Sequence, residues 1–133
     1  MKKTIFLTFV ISILCVGMAQ AKKKPKIQFE NTTINLGNFP QNDAIRSVTF
    51  KFKNVGEAKL VINYVNTSCG CTVADFPKDF IAPGATGEIK VTYDGSNKYP
   101  GHFRKSITVF TNDGQESTRL YIEGNMTIAQ QTK

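Results

Sequence analysis

Cys69 and Cys71 stand one residue apart, with Gly70 between them and the hydroxyls of Ser68 and Thr72 on either side. Two thiols at that spacing can close a small local disulfide, ligate a soft ion such as Cu(I), or exchange disulfides with a partner. They can also simply shape a turn. A disulfide used as a staple gains most by closing a long loop, and this pair closes almost none. In an extended strand, residues i and i+2 lie about 6.5–7 Å apart at Cα, at the upper edge of what a disulfide spans. A bond here therefore needs a turn, and Gly70 permits one with a positive φ. The local disulfide or structural turn is the first reading. The metal site at Cys69 and Cys71, with copper as its ion, is the alternative to an expectation of no cofactor.

Other chemistry finds little support. His102 is the single histidine, and Met126 is the one methionine far from the amino terminus; neither is near the thiols in sequence. A structural zinc site takes four protein ligands. Redox exchange normally uses Cys-x-x-Cys at a helix start, where the thiol is activated. A Cys nucleophile with His102 as base is formally possible, but a histidine beside Gly101 reads as a strand-edge residue. Gly84, Gly87, Gly95 and Gly101 are scattered through turns rather than gathered in a phosphate loop. Asp75, Asp79, Asp94 and Asp113 lack the alternation of a calcium loop and read as turn formers. No catalytic residue is expected, and the chain reads as a non-enzyme.

The amino terminus has the layout of an export signal over residues 1–21. Lys2 and Lys3 precede an apolar run from Ile5 to Val16, and Ala19-Gln20-Ala21 is a small-x-small cleavage site. The run is too short for an ordinary membrane span. Leu14 before Cys15 stands where a lipidation motif needs a small residue. An exported protein, periplasmic or secreted, follows, with Cys69 and Cys71 as its remaining cysteines in an oxidising compartment.

The formal charge of +7 is localised. Lys22, Lys23, Lys24 and Lys26 crowd into a basic flexible arm, residues 22–26, while the remainder is close to neutral. Such an arm reads as a solvated terminus. Without a basic stripe on the body, nucleic acid is not an expected partner, and no stable membrane insertion is expected after cleavage.

The body, residues 27–126, has a period of two. Ile27 to Phe29 and Ile34 to Leu36 read as one edge segment. Val48, Phe50 and Phe52 alternate with Thr49 and Lys51. A strand over 59–65 puts Leu60, Ile62 and Tyr64 on one face. Ile89, Val91 and Tyr93 form the next set, then Phe103, Lys105, Ile107 and Val109, then Leu120 and Ile122. Pro83-Gly84, Asp94-Gly95, Pro100-Gly101 and Asn112-Asp113-Gly114 supply turns. This pattern predicts an antiparallel immunoglobulin-like β-sandwich of about seven strands. Phe29, Phe39, Phe50, Phe52 and Phe103 are expected in its core, joined by Phe76 and Phe80. There is no Trp and no widely spaced cysteine pair to pin the sheets. Residues 127–133 read as a polar tail.

Val48 through Gly56, Leu60-Val61-Ile62, Ser68-Cys69-Gly70-Cys71-Thr72, Ile81-Ala82-Pro83-Gly84 and Gly101-His102-Phe103 together resemble a bacterial family of exported domains of unknown function carrying this Cys-Gly-Cys motif. The resemblance spans about Phe29 to Gly124. It implies a sandwich similar to hydin-type, PapD-like and major sperm protein domains, and it implies no activity. The functional expectation is a binding or assembly module of the cell envelope, offering an edge strand or loop face to another envelope protein or a glycan. The alternative is a Cys-x-Cys accessory protein for Cu(I) handling or thiol redox.

Overall fold

A computed structural model describes residues 22–114 and 117–129. The expected signal peptide, Cys15 included, lies outside the described residues, as does the end of the polar tail. Within them, alternation of apolar and polar residues produces eight strands: β1 (Ile27–Phe29), β2 (Thr33–Pro40), β3 (Ile45–Asn54), β4 (Ile62–Thr67), β5 (Thr72–Asp75), β6 (Thr86–Asp94), β7 (Gly101–Thr111) and β8 (Thr118–Thr127). They form two four-stranded sheets, in the orders β1-β3-β6-β5 and β2-β8-β7-β4. The expected immunoglobulin-like sandwich is the observed fold.

Its interior is the set of inward-facing apolar positions. Phe50, Phe52, Leu60, Ile62, Ile89, Val91, Ile107 and Val109 are all buried, and each fully buried Phe contributes about 1.5–3 kcal/mol. An aromatic group fills one region: Tyr93 stacks on Phe103 with centroids 4.3 Å apart, and Phe39 meets both edge-on. Each sheet also lays a phenylalanine over a glycine on the neighbouring strand. Phe52 pairs with Gly87 and Phe103 with Gly124. A Cβ on either glycine would run into the ring.

Expectations are corrected at three places in the chain. The sandwich is not purely antiparallel, because β2 runs parallel to β8. The segment read as one edge strand is two: the chain leaves β1 in the first sheet and enters β2 in the second. The β2–β8 register slips between Asn35 and Asn38, where Gly37 takes a φ of 79° and donates its N–H to Asn35 Oδ1. Second, Tyr64 does not share a face with Leu60 and Ile62. Pairing of β4 with β7 shifts between Ile62 and Tyr64, so Asn63 is an extra residue and the alternation inverts behind it. Tyr64 turns outward, 53% exposed. Third, Phe80 is exposed. It sits in the loop before β6, under the Lys59 ammonium at 4.2 Å, while Phe76 stays partly buried against the core.

The basic arm is tied to the body at its far end. Glu57 N–H donates to Lys24 O and Val55 N–H to Lys26 O. Gly56 lies so close to the Lys24–Lys26 backbone that a side chain there would collide with it, which accounts for glycine in the Asn54-Val55-Gly56 turn.

Candidate functional site

β4 is an edge strand of one sheet and β5 an edge strand of the other. Ser68 to Cys71 is the connection between them, so the Cys-Gly-Cys motif sits where the chain crosses from sheet to sheet. β5 has four residues and was not legible as a strand, yet it sets the geometry. Thr72 is buried, and pairs with Tyr93 of β6. Cys71, one residue earlier, packs partly against the core. Cys69 is half-buried and Gly70 exposed.

The turn brings the two Cα atoms to 5.1 Å, and the sulfurs are bonded in a disulfide. Gly70 does not use a positive φ, and a Cβ there would meet nothing. The bend is held instead by hydrogen bonds. Thr72 N–H donates to Cys69 O at 3.1 Å and Asp94 N–H to Cys71 O at 2.8 Å. Thr67 Oγ1 donates to Cys69 O. Ser68 N–H donates to Ser106 O, and Ser68 Oγ accepts from Ser106 N–H at 3.1 Å. The sulfurs have polar neighbours as well: Cys71 N–H donates to Cys69 Sγ at 3.2 Å, and Thr72 Oγ1 lies 3.7 Å from Cys71 Sγ.

The other residues considered with the thiols are placed elsewhere in character. His102 is exposed at the start of β7, opposite Asn125. Met126 is buried in the core, near Tyr93 and Gly95. Among the described residues, no three of His, Cys, Asp and Glu are grouped as a metal site would require. Copper ligation needs thiolates, so it concerns the reduced motif. Beside the turn, Asp94 follows Tyr93. Both hydrogen bonds from Ser96 hold the Asp94 carboxyl below its usual range. Burial, then the Asp94 charge, push the Tyr93 phenol above 10.0.

A second feature lies on the outer face of the β2-β8-β7-β4 sheet. Tyr64 stacks on Phe110 across the β4–β7 pair, with centroids 4.3 Å apart and planes within 13°. Farther along the same face, Arg104 covers the Tyr121 ring at 4.0 Å. Reading Tyr64 as a core residue hid this pair; an extra residue inside an alternating run is the signal that finds it. On the opposite sheet, a trough of about 500 Å³ crosses β1, β3 and β6. Its charged lining residues, Glu30, Lys51, Lys53 and Glu88, mix acid and base.

Two four-stranded sheets, a parallel pairing of β2 with the last strand and, among the described residues, no disulfide joining one sheet to the other define an immunoglobulin-like β-sandwich. The chain belongs to the family described as protein of unknown function DUF1573, whose sequence model matches residues 27–126. No curated protein sequence matches it. Solved structures agree on the fold. A protein of unknown function from Porphyromonas gingivalis W83 superposes with a TM-score of 0.69 at 16% identity, covering 84% of this chain and 51% of its own. This chain thus spans about half of that protein's length. PapD-like domain 7 of human CEP192 gives a TM-score of 0.62 at 10% identity, covering 80% and 89%. The periplasmic chaperone SfaE gives 0.54 at 9% identity, covering 80% and 61%. Among the described residues, no helix is long and apolar enough to cross a membrane.

Proposed function

We propose that this protein is an exported binding or assembly module of the cell envelope that docks an extended segment of another envelope protein along β4. The observation that carries this reading is the Tyr64–Phe110 stack. A half-exposed aromatic pair formed by the edge strand β4 and its neighbour β7 presents a rigid, amphipathic surface of the kind that anchors interfaces. The edge beside it supplies free backbone groups. Ser68 N–H bonds Ser106 O, so in the alternation of an antiparallel ladder Val65 and Thr67 turn their backbone groups away from β7. An added strand would pair with them while one of its side chains covers Tyr64. The bulge at Asn63 aims the ring outward, as bulges near functional surfaces do. Export rests on the leader-like residues 1–21, and kinship of fold with a protein described as a periplasmic chaperone is consistent with it. The reading assigns no catalytic residue and no cofactor.

Replacing Tyr64 with a photoreactive phenylalanine analogue in the exported full chain tests this. Irradiation should give a protein adduct at position 64 and none at position 51 on the opposite sheet. A glycan adduct, equal adducts at both positions, or none at all would overturn the assignment to a protein partner at β4. Amino-terminal sequencing of the same sample should begin at Lys22.

A further inference from the structure

We infer that the Cys69–Cys71 disulfide is an exchange site that takes electrons from a dithiol of another protein, an activity separate from docking at β4. Four features of the turn support it. First, the bond closes the smallest of loops, with a sequence separation of 2, so it removes little entropy from the unfolded chain. Second, the turn has its own supports. The carbonyls of Cys69 and Cys71 accept from Thr72, Thr67 and Asp94, and Ser68 is clasped to Ser106. None of these bonds involves sulfur, so opening the disulfide leaves them in place.

Third, the motif is within reach of a partner. It lies on the crossover between two edge strands, with Cys69 half-exposed beside the exposed Gly70. The space beside Gly70 is open: apart from its two chain neighbours, nothing lies within 4 Å of where a side chain there would stand. Fourth, the sulfurs already have donors. Cys71 N–H points at Cys69 Sγ from 3.2 Å, and the Thr72 hydroxyl lies 3.7 Å from Cys71 Sγ. A hydrogen bond to a thiolate stabilises it as the leaving group.

The chemistry balances without a cofactor. One thiolate of the incoming dithiol attacks Cys69 Sγ, the S–S bond breaks, and Cys71 leaves as a thiolate beside the Thr72 hydroxyl. The partner's second thiolate then attacks its own sulfur in the mixed disulfide, and Cys69 leaves as a thiolate facing the Cys71 N–H. The partner loses two electrons and two protons and gains a disulfide; Cys69 and Cys71 end as a dithiol.

The test mixes the oxidised full chain with a reduced peptide carrying two cysteines, followed by acid quench and mass spectrometry. One peptide disulfide should form per protein disulfide opened, about tenfold faster than with glutathione disulfide at equal concentration. The Cys69→Ser/Cys71→Ser double variant should form none, and Tyr64→Ala should match the wild type, so this activity and docking at β4 fail independently. Circular dichroism of the reduced product should match that of the starting protein. A bond that stays closed under excess peptide, a rate no faster than that of glutathione disulfide, or loss of the fold on opening would each overturn the inference.

Discussion

Asn54 and Ile81 are joined by a 2.9 Å hydrogen bond from the buried side-chain amide of the first to the backbone carbonyl of the second. The same amide donates to Ala58 O at 2.8 Å, and its oxygen accepts from Gly56 N–H and Lys26 N–H. A single side chain thus holds the end of β3, the turn behind it, the loop before β6 and the entry to β1. Asn54 has no exposed surface, and it uses two donors and two acceptor positions, which is the full capacity of an amide.

Asn54→Ala should therefore cost about 3 kcal/mol, because several buried backbone groups lose their partner at once. A urea midpoint measured at unchanged slope reads this directly. Asn54→Asp should cost more, since it removes both donors and buries a charge. A variant as stable as the wild type would mean that solvent replaces the network.

Gly87→Ala should destabilise by about 1–3 kcal/mol, the range for overpacking a filled core, because its methyl meets the Phe52 ring. Pairing it with Phe52→Leu should recover part of that loss, giving a favourable coupling in a double-mutant cycle. Gly70→Ala is the control. With open space around it and no positive φ, it should change stability by less than about 0.5 kcal/mol.

Alkaline pH should weaken the fold through Tyr93. Its phenol is raised above 10.0 by burial and then by Asp94. A raised folded value contributes stability that is complete below the unfolded value and is lost as pH climbs through the folded one. The melting temperature should fall above about pH 10, and Tyr93→Phe should flatten that fall. Equal slopes in both proteins would place the alkaline loss on other groups.

The sandwich was legible because its long strands alternate cleanly. Phe50 and Phe52, Ile89 and Val91, and Ile107 and Val109 mark one face each and are buried. What escaped has local causes. Thr72–Asp75 is too short to show a period. The parallel neighbour of β8 cannot be read from β2 alone, since pairing across the whole chain leaves no local trace. Tyr64 was placed inward because one inserted residue inverts an alternation. Asn54 is a polar residue at a strand end, where exposure is the default; its burial depends on carbonyls as far as 27 residues away. At the candidate site, the thiols and their flanking hydroxyls were visible in sequence. Their position between two sheet edges was not, because it depends on β5.

If hydrogen bonds alone fold the Cys69–Gly70–Cys71 turn, the disulfide is free for chemistry. The most direct measurement compares denaturation midpoints of the wild type with the bond closed and with it held open by excess dithiothreitol, the redox state being checked by mass. The two forms should differ by less than about 2 kcal/mol, the scale expected for so small a loop. A reduced protein that loses most of its stability would contradict the account and make the disulfide a structural pin.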